Sequence, residues 1–563
     1  MTSLFWLLFG AVARQAKADF VQKTRTPEAV QEQFLRSLLR AHQNTEFGRQ
    51  YRLSEIKTID QFRQRLPVQS YSSHQPYIER MANGETNILT PDRLIYFNMT
   101  SGSTGKQKLI PVTQRSRQAI SRANQAGIGF VIDAAREQGA PLGKMLFTSS
   151  AKSLGRTRGG IAYGPVSTSD LRLSSILTRQ IFAYPWEALQ ISDSLARYYI
   201  CLLFALHNPD LKIIGATFPV LALQLAGYLE QYADPLIHDL EKGEIASWLP
   251  LEPALRASLT ARWSAAPQRA AQLRQIFKAE GRLTPILAWP NLSFIVTARG
   301  GTSNFYLERF PEYFGDTPIF GGIYAAAETT FGVGWDFNTD SVIPAIGTNF
   351  LEFIPEGQWE VAQPQTLLPA EVKSGDRYRI VITNYSGFYR YDIGDVVEID
   401  GFFEQTPLMI FRHRRGGVIS STTEKTTEFH VTRVVQALQQ DMNLLLENFC
   451  ITLSHDQIPA HYWVNIELAP GYTLNNPVEF LSKFDTALKD VHTSYEVKRR
   501  DQVPPPCLRI LESGSFAQVR NRLIQRGATE SQLKFPLVSE DRSLLAGLKV
   551  QQEVRLTNDV IPS

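Results

Sequence analysis

Three short stretches hold residue types that could do chemistry. Thr100-Ser101-Gly102-Ser103-Thr104-Gly105-Lys106-Gln107-Lys108 packs hydroxyls, glycines and lysines together. Glycines let a backbone approach an anion closely and turn its N–H groups toward it. The hydroxyls and lysines add donors and charge. A Walker A loop needs four residues between Gly and Gly-Lys, whereas only Ser103 and Thr104 separate Gly102 from Gly105. The plain alternative is a flexible surface loop. In the second stretch, Tyr324-Ala-Ala-Ala-Glu328-Thr-Thr-Phe-Gly332 after Gly321-Gly322, one tyrosine and one glutamate stand among small residues. Burying that carboxylate would call for a cation or donors, so a metal ion or ligand would account for it. Spacing alone also allows a solvent-exposed glutamate on a short helix. The third, Tyr389-Arg390-Tyr391-Asp392-Ile393-Gly394-Asp395, threads an arginine and two aspartates through aromatics. A carboxylate can accept two hydrogen bonds from a ribose diol; the alternative is an Arg390–Asp392 surface pair of minor energy.

The elements that must position these stretches can be read from periodicity. Thr26-Pro27 suits an N-cap and first helical residue, and Val30, Phe34 and Leu38 form an apolar stripe, so residues 26–43 read as a helix. Residues 93–98, 144–148, 211–216 and 292–297 read as strands, with 219–232 a helix. The first strand runs straight into the Ser/Gly/Thr stretch. Tyr378, Ile380 and Ile382 share one face, which predicts a half-buried strand over 377–382; 384–387 reads as a turn and 395–399 as a strand. Residues 412–417 (Arg-His-Arg-Arg-Gly-Gly) have no clear periodicity and mark the expected domain boundary. Beyond them, helices over 426–439, 478–492 and 516–526 and strands over 448–453, 462–468 and 508–511 suggest a small α+β domain. The expected organisation is thus α/β: a large N-terminal domain, 1–415, with sheets flanked by helices, and a smaller α+β cap, 416–563.

Composition sets the class. The 563 residues are 43% hydrophobic and 20% charged, within the globular range and long enough for roughly two to four domains. Fifty-eight basic against 55 acidic residues leave a formal charge of +3, which gives no pull toward nucleic acid. Three scattered cysteines, Cys201, Cys450 and Cys507, form no disulfide framework and no CxxC zinc motif, so a reducing compartment is the simple reading. The apolar run at residues 4–9 is far short of the about 20 residues a spanning helix needs, and no basic region precedes it. It reads as an amphipathic first helix docked on the core of a cytoplasmic protein. HExxH, GxSxG and GxGxxG do not occur.

The order and spacing of the three stretches are more specific than any one of them. A Ser/Thr/Gly/Lys loop near 100, Tyr…Glu near 325 and Arg…Gly-Asp near 395 recur in adenylate-forming enzymes. From about Thr45 to near the C-terminus the chain resembles the GH3 acyl-acid amido synthetases, a plant family with bacterial members. The resemblance rests on 62–67, Gln75-Pro-Tyr-Ile-Glu-Arg80, Lys108-Leu-Ile-Pro111 and Tyr389–Asp395. Two departures are Thr-Ser-Gly-Ser-Thr-Gly for the family's Ser-Ser-Gly-Thr-Ser, and Ala-Ala-Ala-Glu for its Ala-Ser-Ser-Glu. The resemblance implies a ligase using ATP and Mg2+ that adenylates a small carboxylic acid and passes the acyl group to an amino acid. It implies that Ser101, Ser103 and Thr104 cradle phosphates, that Tyr324 lies in the nucleotide site, and that Glu328 coordinates magnesium or a phosphate-bound water. Asp395 would bind the ribose, Arg414 would contact nucleotide, and Lys425 and Lys534 would be the lysines of a mobile cap. A coenzyme A acceptor, or a silent nucleotide-binding protein of the same fold, are the alternatives; retention of Lys106, Lys108, Glu328, Arg390, Asp395 and Lys425 argues against the silent one.

Overall fold

The structure is a computed structural model. It describes residues 2–99, 108–152, 154–167, 171, 177–301, 303–414, 417–422, 424–455, 459–500, 502–525, 533 and 535–556. The chain forms two compact units, Met1–Phe411 and Arg412–Ser563.

Among the described residues the first unit holds three sheets. Met145–Phe147, Ile213–Gly215, Phe294–Val296 and Ile319–Phe320 lie side by side, all parallel. The intervening helices Ser194–Leu206 and Pro219–Gln231 are rich in buried leucine and alanine, as crossover helices over a parallel sheet must be. A second sheet is ordered Leu109–Thr113, Leu94–Met99, Ala162–Gly164, Gly155–Arg156. The third has seven strands: Phe350–Pro355, Arg377–Thr383, Tyr391–Phe403, Thr406–Arg414, Val342–Pro344, Thr330–Gly334 and Ile323–Ala325.

The helix expected at 26–43 spans Pro27–His42, with Pro27 at its first turn. Its Phe34, Leu35, Leu38 and Leu39 enter one core with Phe62, Phe350, Ile380 and Tyr389. The fully buried Gln31 on the same helix donates to the carbonyls of Ile346 (2.6 Å) and Asn349 (2.8 Å) and accepts from Leu351 N–H (2.6 Å). It thereby ties the helix to the start of the strand Phe350–Pro355.

The first helix, Thr2–Thr24, lies along Gln114–Glu137. Lys17 Nζ meets Asp133 Oδ2 at 2.6 Å, and Phe20 packs edge-on to Phe130. The helices approach so closely that a Cβ on Gly129 would sit 2.5 Å from the Ala13 carbonyl oxygen, so glycine is required there. No helix among the described residues is long and apolar enough to cross a membrane.

Two sequence expectations need correction here. The strand Arg377–Thr383 is central in its sheet and buried on both faces, with Arg379 at 4% and Val381 at 0% exposure; the second face is covered although its residues are not all apolar. The segment 412–414, read as irregular, continues the strand Thr406–Arg414; its basic side chains hid the extended backbone.

The second unit holds a five-stranded sheet ordered Val538–Ser539, Leu446–Leu453, Tyr462–Leu468, Cys507–Leu511, Val550–Arg555. The helices Glu428–Asp441 and Pro477–Val491 pack on each other, and the latter reaches Cys507–Leu511 and Val550–Arg555. A further helix there spans Ser515–Gln525. The mixed α/β architecture, a large N-terminal part and a smaller α+β C-terminal part, is as the element pattern predicted.

Candidate active site

The parallel strand Ile319–Phe320 ends at Gly321-Gly322, and the chain then enters Ile323–Ala325. Gly322 has φ +62, and a Cβ there would press on Val296 at 3.3 Å, so this reversal needs glycine. Ligand clefts in α/β sheets open beyond the carboxyl ends of such strands. Tyr324 and Glu328 are delivered to that end of the sheet.

Glu328 is not a surface residue. It sits in the turn between Ile323–Ala325 and Thr330–Gly334, 5% exposed. Tyr391 Oη donates to its Oε1 at 3.2 Å, and Asn384 Nδ2 donates to its backbone carbonyl at 3.3 Å. Asn98 Nδ2 donates to the carbonyl of neighbouring Ala327 at 2.8 Å. Asn98 is the penultimate residue of Leu94–Met99, and Met99 pairs with Leu109 of the antiparallel partner strand. Ser101, Ser103 and Thr104 lie outside the described residues; the strand that precedes them is tied beside Glu328 through Asn98. Lys108 Nζ stands 5.0 Å over the Tyr71 ring, and Tyr71 donates to the Leu109 carbonyl at 2.9 Å. Burial pushes the Tyr71 phenol well above its ordinary range, and the nearby Glu328 charge adds to the effect, so Tyr71 remains a neutral donor.

Asp395, 3% exposed on the strand Tyr391–Phe403, accepts a 2.8 Å hydrogen bond from Tyr324 Oη through Oδ2. The Tyr324 ring packs on Phe331 and Phe411. In the seven-stranded sheet three strands separate Tyr324's strand from Asp395's. Direct contact across that span requires the sheet to curl, bringing its edge strand over its interior.

Arg390 has a different job from the one its motif suggested. It is 4% exposed and faces Glu352, not Asp392. Its guanidinium donates twice to the Glu352 carboxylate (3.0 and 3.2 Å), to the Arg63 and Leu66 carbonyls (3.0 and 2.8 Å) and to Thr366 Oγ1 (3.0 Å). Five directed bonds hold a non-glycine residue at φ +42, a conformation that costs on the order of 1–3 kcal/mol. Asp392 instead pairs with Arg379 at 3.5 Å and caps Gly394 N–H at 2.9 Å. Arg390 thus holds the fold, and its retention says nothing about chemistry.

The structure therefore pairs Tyr324 with Asp395 and Tyr391 with Glu328 in the first unit, with Tyr71, Asn98 and Asn384 near Glu328. Sequence reasoning missed the hydroxyl of Tyr391, although it stands within the quoted motif; the alternation of aromatics and charges there was the available signal. Arg414 and Lys425 lie in the second unit, both exposed, at the end of one strand and before another. Lys534 lies outside the described residues.

Comparison with known proteins follows the same layout. The GH3 family N-terminal domain matches residues 16–319, the GH3 family central domain 342–414 and the GH3 family C-terminal domain 429–543. The chain is 26% identical to "Indole-3-acetic acid-amido synthetase GH3.10" of Arabidopsis thaliana, covering 92% of this chain and 93% of that one. It is 27% identical to "Jasmonoyl--L-amino acid synthetase JAR4" of Nicotiana attenuata, covering 92% of each. The fold matches that of "AtGH3.15 acyl acid amido synthetase in complex with 2,4-DB" with TM-score 0.86 at 22% identity over 98% of both chains. A "2-Hydroxyisobutyryl-CoA Ligase" in its postadenylation state matches with TM-score 0.57 at 11% identity, over 93% of this chain and 92% of that one.

Proposed function

This chain belongs to the GH3 family and is an amide-forming ligase working through an acyl-adenylate, and we propose how its own residues divide that work. A small carboxylic acid attacks the α-phosphorus of ATP; the bond from that phosphorus to its bridging oxygen breaks, and pyrophosphate leaves. The amine of an amino acid then attacks the acyl carbonyl, AMP leaves with the former carboxyl oxygen, and the amine gives up a proton.

Asp395 accepts the ribose hydroxyls, and Tyr324 fixes the carboxylate's rotamer through its 2.8 Å bond. Ser101, Ser103 and Thr104 supply donors to the phosphates. Among the described residues no group of three or more His, Cys, Asp or Glu could cage a metal ion. Magnesium needs none, since it takes one or two carboxylates and completes its shell with phosphate oxygens and water. Glu328, a buried carboxylate steered by a tyrosine, fits that donor set. Bound there, the ion would offset the charge on the departing pyrophosphate. Lys425 and Lys534 bring flexible point charges to the phosphorus centre, and Arg414 contacts the nucleotide. The C-terminal domain, with its boundary at 415/416, moves as a unit between the half-reactions, because adenylation needs cations where the amine later needs a path.

The supporting observation is the pair of bonds Tyr324–Asp395 and Tyr391–Glu328, which stitch two stretches that lie 71 and 63 residues apart at those positions. The test is pyrophosphate exchange into ATP over a panel of carboxylic acids, followed by product analysis with amino acids or coenzyme A as acceptor. Acid-dependent exchange with an amide product is expected. A thioester product would move the protein to the coenzyme A class, and no exchange with any acid would remove the adenylation reading.

A further inference from the structure

In the second unit, Val418–Ile419 and Thr426–Thr427 form a small antiparallel hairpin. The loop between them ends at Lys425, whose side chain is exposed and whose backbone is left-handed, at φ +56. Lys425 N–H donates to Ser420 Oγ at 2.8 Å. The residue before it, Glu424, is 1% exposed. One carboxylate oxygen accepts from Ser421 N–H and from the Tyr462 hydroxyl; the other accepts from the N–H and the hydroxyl of Thr422, both at 3.0 Å. Burial alone would raise the Glu424 pKa, but the Tyr462 hydroxyl and the backbone donors outweigh it and hold the group below its ordinary value.

The anchor is itself fixed. Tyr462 is fully buried on the strand Tyr462–Leu468, with its oxygen 2.8 Å from Thr426 Oγ1. Its ring stacks on Tyr495, whose hydroxyl donates to Asp485 Oδ1 at 2.8 Å, and Arg499 Nε donates to the same atom at 3.1 Å. An apolar side chain could fill the space under this loop. Only a group with several acceptor directions can dictate the path of the backbone immediately before a left-handed lysine.

We propose that Glu424 and Tyr462 are positioning residues for Lys425, fixing the backbone from which its charge serves adenylation. The proposal rests on the reading of Lys425 given above. A long flexible side chain contributes to a transition state only as far as its base is held, and here the loop's own donors converge on one buried carboxylate.

The test is a double-mutant cycle read by pyrophosphate exchange at saturating ATP and acid, using Lys425→Ala, Glu424→Gln and the double variant. Lys425→Ala is expected to slow exchange by roughly a hundredfold or more, as loss of one transition-state donor does. Glu424→Gln should slow it by roughly tenfold, with the KM for ATP unchanged, and the double variant should be no slower than Lys425→Ala. If Glu424→Gln costs the same factor in the Lys425→Ala background, the effect does not pass through the lysine and the proposal is overturned, leaving Lys425's role standing. If Lys425→Ala exchanges at the wild-type rate, that role falls and this proposal with it. Tyr462→Phe, which removes a single donor, runs the same cycle should Glu424→Gln not fold.

Discussion

At Asp395 a single carboxylate has two tasks, holding Tyr324 and facing the proposed ribose. Asp395→Ala should weaken ATP binding by on the order of 1.5–3 kcal/mol for each charge-assisted bond lost, while the thermal midpoint shifts little. Calorimetric titration measures this, and unchanged ATP affinity would remove Asp395 from the nucleotide site. Glu328 makes a separate case. Its exposure of 5% and its bond from Tyr391 exclude the free surface glutamate that spacing alone allowed. Glu328→Gln keeps the shape and can keep the tyrosine bond but loses the charge. Pyrophosphate exchange should therefore fall by about 10²-fold or more, with the urea midpoint near that of the wild type. Wild-type exchange in this variant would end the metal assignment.

Gln31 shows how one residue can decide the place of a whole element. The helix Pro27–His42 was legible from Val30, Phe34 and Leu38, but its docking site was not, because a polar residue on an apolar face gives no hint of its partner. In the structure its amide satisfies three backbone groups of residues 346–351. Gln31→Leu would leave those groups buried without partners, at about 1–3 kcal/mol each. A stability loss of about 3 kcal/mol or more is expected from urea denaturation, and an unchanged midpoint would mean that water replaces the amide. The strand Arg377–Thr383 was found in place but misjudged in burial. Alternation reports one apolar face; it is silent on a second face whose Arg379 is buried beside Asp392.

Across the molecule, two fully buried histidines set a pH limit. His42 is driven down to about 3 by burial, with Arg115 adding to the effect, and His74 to about 4 by burial. His42 Nδ1 lies 2.7 Å from Tyr389 Oη, and His74 Nε2 accepts from Tyr389 N–H at 3.2 Å, so both rings lock the strand entry near Arg390. Folded pKa values lie below the unfolded value of about 6.5, so the unfolded chain binds more protons as pH drops. Their stabilising contribution is complete above about pH 6.5 and is lost as pH falls toward 4, at up to about 1.4 kcal/mol per pH unit for each ring. The urea midpoint should decline between pH 6.5 and 5, and less steeply in His74→Gln; a flat profile in the wild type would contradict this. The sequence by itself determined the α/β class, most element positions, and the stretches at 100–108, 324–332 and 389–395. Local periodicity, glycine placement and residue chemistry are written along the chain, so these could be read there. The tertiary structure alone decided that Tyr324 meets Asp395, that Tyr391 meets Glu328, and that Arg390 serves Glu352. The first of those pairings depends on the curl of a seven-stranded sheet, and all three on a strand order that is not the chain order. Strand order and curl follow from the packing of the whole core, which no local stretch of sequence encodes.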